Sequence, residues 1–127
     1  MIVVDASAAA FALLQDGDAR SMLAEDRIAC PHLADSELVA TLRSLVRREK
    51  VEASDAQRAL DAWSRLGLQR VGVVGALDRI WELRDNLSAY DATYVAVAET
   101  LDAPLVTADA RLARAPGPRC TVTVVRH

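Results

Sequence analysis

Apolar residues in this chain fall in short continuous runs, separated by longer stretches where they recur every three or four positions. The runs at residues 2–4, 28–30, 104–107 and 122–125 read as strands, and their continuity suits strands buried on both faces. Residues 69–73 join them as a fifth. Between the strands the helical period returns. Ser7 caps an Ala-rich helix to about residue 14, Gly17-Asp18 breaks it, and a second short helix runs to about 24. Pro31 stops the second strand. A long helix over 33–49 carries Leu38, Leu42, Leu45 and Val46 on one side. Ser54-Asp55-Ala56-Gln57 has the form of a capping box and opens a helix through 66, which Gly67 ends. Further helices are predicted over 76–84, from Ser88 to about 101, and over 110–115.

Strands alternating with helices predict a three-layer α/β sandwich whose mainly parallel central sheet is flanked by helices. No repeat, linker or low-complexity tract divides the 127 residues, so they read as a single domain, 1–127. In such sheets ligands sit beyond the carboxyl ends of the strands. Asp5 closes the first strand and Asp109 follows the fourth. Both also suit helix N-caps, a role compatible with chemistry. Asp91 shares a helix face with the apolar Tyr94, Val95, Ala98 and Leu101, so it points inward from the first turn. The helix dipole favours a carboxylate there by about 0.3–1 kcal/mol, well short of the several kcal/mol that burying an ion costs. A compensating cation closes the gap. Glu37 flanks the apolar stripe of the long helix near its start; alone it reads as a solvated residue, and its weight comes from the set.

Four carboxylates from four segments would repel each other at one sheet edge unless a hard cation held them. Mg²⁺ and Mn²⁺ take such oxygen ligands. An ion so held orients and deprotonates water and neutralises charge on a phosphodiester, and two ions stabilise both attacking and leaving oxygens.

Composition narrows the alternatives. Hydrophobic residues make up 52% and aromatics 4%, so the core is built from Ala, Val and Leu. No apolar run approaches the roughly 18 residues that span a bilayer, and the amino terminus lacks the basic region and cleavage site of a signal peptide. A cytoplasmic protein without membrane contact is expected. Cys30 and Cys120 stand outside any CxxC spacing and read as packed, reduced thiols. His32 and His127 are too few and too distant for zinc. The net charge of −3 leaves nucleic-acid binding open, since the acids are gathered into one site and Lys50 is the only lysine among fifteen basic residues. A phosphotransfer receiver would need a lysine after a late strand, and an aspartyl phosphatase a second Asp where Ser7 stands. P-loop and serine-hydrolase motifs are absent.

Together, Val3-Val4-Asp5-Ala6-Ser7, Glu37, Leu87-Ser88-Ala89-Tyr90-Asp91-Ala92 with Tyr94 and Ala98-Glu99, and Thr107-Ala108-Asp109-Ala110-Arg111-Leu112 carry a resemblance over nearly the whole chain. The sequence resembles the PIN-domain ribonucleases, and within them the VapC-type toxins of bacterial toxin–antitoxin pairs. That resemblance implies a Mg²⁺- or Mn²⁺-dependent endoribonuclease acting on structured RNA such as transfer RNA. It also implies a homodimer inhibited by a cognate antitoxin. It carries the metal-site role onto Asp5, Glu37, Asp91 and Asp109. Ser7 and Thr107 fall at the family's hydroxyl positions, supporting a carboxylate or a bound water, beside their plainer readings as cap and strand residue. Some members have a further acid shortly after the last motif, where this chain has Arg111.

Asp35 and Glu99 read as solvated. Arg84 and Arg111 flank the acidic segments, either solvated or holding RNA phosphates. Trp63 and Trp81 read as core or interface, and the first four helices as the antitoxin's groove. The competing reading is a non-catalytic PIN-like module that binds RNA or protein, which would need no metal and would keep its partner when Asp91 is replaced by Asn.

Overall fold

β1 (Ile2–Val4) is wholly buried and pairs in parallel with a strand on either side. In the computed structural model, which describes residues 1–126, its neighbours are β2 (Ile28–Pro31) and β4 (Leu105–Thr107). β3 (Gln69–Val71) lies outside β2 and β5 (Val122–Val124) outside β4, giving the order β3-β2-β1-β4-β5 with every pair parallel. The strands extend outward from β1 on one side, then resume at β4 on the other. The switch point therefore falls between β1 and β4, where ligands bind in open parallel sheets.

Right-handed crossovers send the connections before and after that switch to opposite faces. One layer holds α1 (Ala6–Leu14), α2 (Asp18–Glu25), α3 (Leu33–Arg47) and α4 (Ala53–Arg65), which pack on one another around α1. The other holds a 3-10 turn (Val74–Ala76), α5 (Leu77–Glu82), α6 (Ala89–Thr100) and α7 (Ala110–Arg114). The three-layer expectation is met, and the sheet is entirely parallel. Within the described residues no helix is long and apolar enough to cross a membrane.

Local chemistry explains where the elements differ from expectation. β3 stops at Val71 because its register partner is Pro31, after which β2 gives way to α3 and leaves residues 72–73 nothing to pair with. Asp5, not Ser7, caps α1: its carboxylate accepts the Ala8 amide at 3.0 Å, while Ser7 lies inside the helix. The capping box at Ser54 does not form, since Glu52 is the N-cap of α4, Ser54 lies inside the helix, and Gln57 instead donates to Asp61. The predicted helix over 76–84 splits into the 3-10 turn and the shorter α5. α6 is buried on every side from Ala92 to Ala98, not along one face, because the sheet covers it from one direction and α5 from another.

Ion pairs fasten the layers. Asp35, expected to be solvated, accepts the Trp63 indole N–H at 2.7 Å and both arms of Arg70 at 2.8 Å, tying α3 to α4 and β3. Glu99, also expected to be solvated, is clasped by Arg79 from α5 and by the Arg119 amide. Long side chains on neighbouring elements found these acids, which no local pattern signals. Trp63 is core, whereas Trp81 is 67% exposed with the Arg84 guanidinium stacked 4.5 Å from its ring centroid. Cys30 and Cys120 are both free thiols. His127 lies outside the described residues.

Candidate active site

At the carboxyl edge of the sheet, a cavity of about 240 Å³ is lined by Asp5, Ser7, Glu37, Thr41, Asp91, Tyr94 and Asp109. All four acids singled out in the sequence therefore face one space, each from a different element. The end of β1 delivers Asp5, the second turn of α3 Glu37, the first turn of α6 Asp91, and the link from β4 to α7 Asp109.

Asp5 is the best held. It is 7% exposed, and hydroxyls satisfy both of its carboxylate oxygens. Ser7 Oγ donates to Oδ1 at 2.6 Å and Thr107 Oγ1 to Oδ2 at 2.5 Å. Each hydroxyl is itself anchored, Ser7 accepting the Ala108 amide and Thr107 the Asp109 amide, both at 3.0 Å. The pairing of Val4 with Val106 brings Asp5 level with Thr107, so the register between β1 and β4 builds the network. Burial raises the Asp5 carboxyl above its ordinary range against the pull of these hydrogen bonds, and the Asp91 charge adds to the rise.

Glu37 and Asp91 are half-buried. Burial raises Glu37, the charges of Asp91 and Asp5 add to it, and Tyr94 opposes it. Burial likewise raises Asp91 with help from Asp109, against the Ser88 hydroxyl and the Arg111 charge. Ser88 caps α6 as its sequence predicts, and its Oγ accepts the Asp91 amide at 3.1 Å. Asp109 runs the other way. Arg111 pulls its carboxyl down, and burial only partly resists. It caps α7 through the Arg111 amide.

Tyr94, read in the sequence as part of a helix face and of the family resemblance but given no role at the site, lines the cavity. Its ring is 2% exposed, and its hydroxyl is the one buried side-chain polar atom among the described residues without a hydrogen-bond partner. The hydroxyl faces Glu37 closely enough to lower that carboxyl, but stops short of well-formed hydrogen-bond geometry. Thr41, one turn beyond Glu37 on α3, and its neighbour Ala40 are lining residues that no motif marked.

The four acids ring the cavity without closing on a common point. Among the described residues, no three acidic, histidine or cysteine side chains stand close enough together to hold an ion as placed. Mutual repulsion and the grip of Arg111 on Asp109 both act against convergence. The donor chemistry nonetheless fits a hard divalent cation: every candidate donor is a carboxylate oxygen, and three of the four are raised by burial and by the charge of a neighbouring acid of the set. The unpartnered Tyr94 hydroxyl adds a polar group that a polar occupant would satisfy.

A larger groove of about 870 Å³ lies elsewhere, between α1, α3 and α4, lined by Leu13, Leu14 and Val46 beside the acids Glu49, Glu52 and Asp55 and the bases Lys50 and Arg58. It offers a surface, whereas the smaller cavity gathers the four acids.

Comparison with known proteins identifies the family and the fold. The family described as PIN domain matches residues 2–118. The chain is 55% identical to Ribonuclease VapC9 of Mycobacterium tuberculosis over 125 residues, covering 98% of each protein. The crystal structure of PAE2754 from Pyrobaculum aerophilum superposes with a TM-score of 0.68 at 25% identity, covering 97% of this chain and 83% of that one. Mycobacterium tuberculosis VapC20, described as a sarcin-ricin loop cleaving toxin, shares the fold with a TM-score of 0.64 at 22% identity, over 90% of this chain and 94% of its own.

Proposed function

This chain belongs to the PIN-domain family, on its VapC ribonuclease branch, and from that premise we propose that it is a divalent-metal-dependent endoribonuclease, the toxin of a toxin–antitoxin pair. Its 127 residues form one nuclease domain acting in the cytoplasm on structured RNA, transfer RNA being the substrate class this reading assigns. The observation that carries the proposal is the cavity at the β1–β4 switch point, onto which Asp5, Glu37, Asp91 and Asp109 all face.

Those four carboxylates would hold Mg²⁺ or Mn²⁺. Such an ion, when bound, supplies Lewis acidity that activates water and offsets charge on the phosphodiester. The chain's own part is preorganisation. Ser7 and Thr107 fix both oxygens of Asp5, so the most buried ligand needs no rearrangement. Glu37 and Asp91, half-buried on separate helices, keep the freedom to turn inward. Tyr94 presents its hydroxyl beside Glu37 as a donor that can steady that carboxylate.

The antitoxin would seat in the groove between α1, α3 and α4, whose apolar floor of Leu13, Leu14 and Val46 suits an amphipathic partner segment. A homodimer would cover the exposed Val74, Leu77 and Trp81 on the opposite layer. Incubating purified, antitoxin-free protein with total cellular RNA tests the activity. Discrete fragments should appear with Mg²⁺ or Mn²⁺ and vanish with chelator. Intact RNA under both metals would favour the binding-module reading.

A further inference from the structure

Asp109 is the odd member of the acidic set, because it alone is paired with a basic side chain. Arg111, two residues on, brings Nε to Oδ1 and Nη2 to Oδ2, each at 3.2 Å, and adds its backbone amide to Oδ1 at 2.9 Å. The guanidinium thus covers both oxygens that an ion would need. Its side chain is 84% exposed and that of Asp109 is 34% exposed. Among the described residues, no carboxylate other than Asp109 pairs with Arg111, and the nearest further acid to feel its charge is Asp91. An ion pair this exposed is weakly held and easily exchanged.

A divalent cation in the cavity would attract Asp109 and repel the guanidinium. Arg111 would then stand on the first turn of α7, at the mouth of the cavity, with its donors free. The planar fork that fits a carboxylate fits a phosphate equally well, and lysine does not reproduce it. Resting on the metal-dependent ribonuclease reading above, we propose that Arg111 is an internal counter-cation of Asp109, displaced when the divalent ion takes that carboxylate and thereby freed to clasp a phosphate of the RNA. Metal loading is thereby coupled to substrate capture.

The test follows the arginine side chain directly. In ¹⁵N-labelled protein, the Nε–Hε signal of Arg111, assigned by its loss in Arg111→Lys, is recorded during a Mg²⁺ titration whose binding is measured in parallel by calorimetry. The signal should shift as the ion saturates, and its exchange with water should be faster at saturation than without Mg²⁺. A signal unmoved at saturation overturns the proposal while leaving the ribonuclease reading intact. Absence of any divalent-ion binding would overturn both. Steady-state cleavage supplies the second readout. Arg111→Gln should raise KM for RNA about tenfold with kcat little changed, as expected for a lost charged hydrogen-bonding partner, and Arg111→Lys should restore only part of it. A KM within twofold of the parent overturns the phosphate role.

Discussion

The Thr107 hydroxyl donates to Oδ2 of Asp5 at 2.5 Å, joining two residues 102 positions apart that parallel pairing of β1 and β4 sets side by side. Thr107 is fully buried and its oxygen also accepts the Asp109 amide, so one hydroxyl orients two of the four acids. Thr107→Val keeps the shape but strands a buried carboxylate oxygen and a backbone N–H. We expect a loss of about 1–3 kcal/mol in unfolding free energy, read by urea denaturation, together with reduced nuclease activity. Thr107→Ser should recover most of both.

Asp91 carries the opposite balance. Burial and the charge of Asp109 both disfavour its ionised form, so its charge costs the fold stability. Asp91→Asn should leave the melting temperature in metal-free buffer unchanged or higher, while cleavage falls about 100-fold or more. Calorimetric melting and cleavage assays on the same preparation check the pair; a clear drop in melting temperature would show Asp91 to be structural.

Glu99 links stability to pH. Burial pushes its carboxyl up, but the hydrogen bonds from Arg79 and the Arg119 amide outweigh burial, and the net shift is below the ordinary 4.5. A folded-state value below the unfolded one means that this stabilisation is complete above about pH 4.5 and is lost as pH falls through the folded value. Glu99→Gln should therefore cost about 1–3 kcal/mol at pH 7. The difference from the parent should shrink as the pH drops below about 4.5, measured by denaturation across that range.

Tyr94→Phe removes a buried hydroxyl with no hydrogen-bond partner. Nothing is unpaired by the change, so stability should move by less than about 1 kcal/mol, and a gain is consistent. A loss well above that in urea denaturation would mean that the hydroxyl and Glu37 share a full hydrogen bond in solution.

Much of this arrangement was legible in the sequence because its signals are local. The solid apolar run Ile2–Val4 ending in Asp5 marks a central strand and the acid at its tip, and Ser88 three residues before Asp91 marks the start of α6. What stayed hidden depends on contacts across the fold. Asp5 and Ser7 are both good caps, and Thr107 helps decide which one serves by engaging the Asp5 carboxylate. Asp35 looks solvated until Arg70, 35 positions away, arrives on β3, and Glu99 until Arg79 reaches it from α5. Arg111 sits beside Asp109 in sequence, but only side-chain geometry shows it gripping both oxygens. The full burial of α6 has a faint local trace in its alternation of Ala and Val, which suits close packing on all sides.

The proposed function makes four carboxylates from four elements into one metal-dependent ribonuclease site. Single-turnover cleavage of RNA over a Mg²⁺ titration, by the parent protein and by Asp5→Asn, Glu37→Gln, Asp91→Asn and Asp109→Asn, tests it most directly. Each variant should remain folded by circular dichroism and lose about 100-fold or more in cleavage rate, and the parent's activity should disappear with chelator. Near-parental cleavage by any of the four folded variants, or cleavage that survives chelator, would contradict the account.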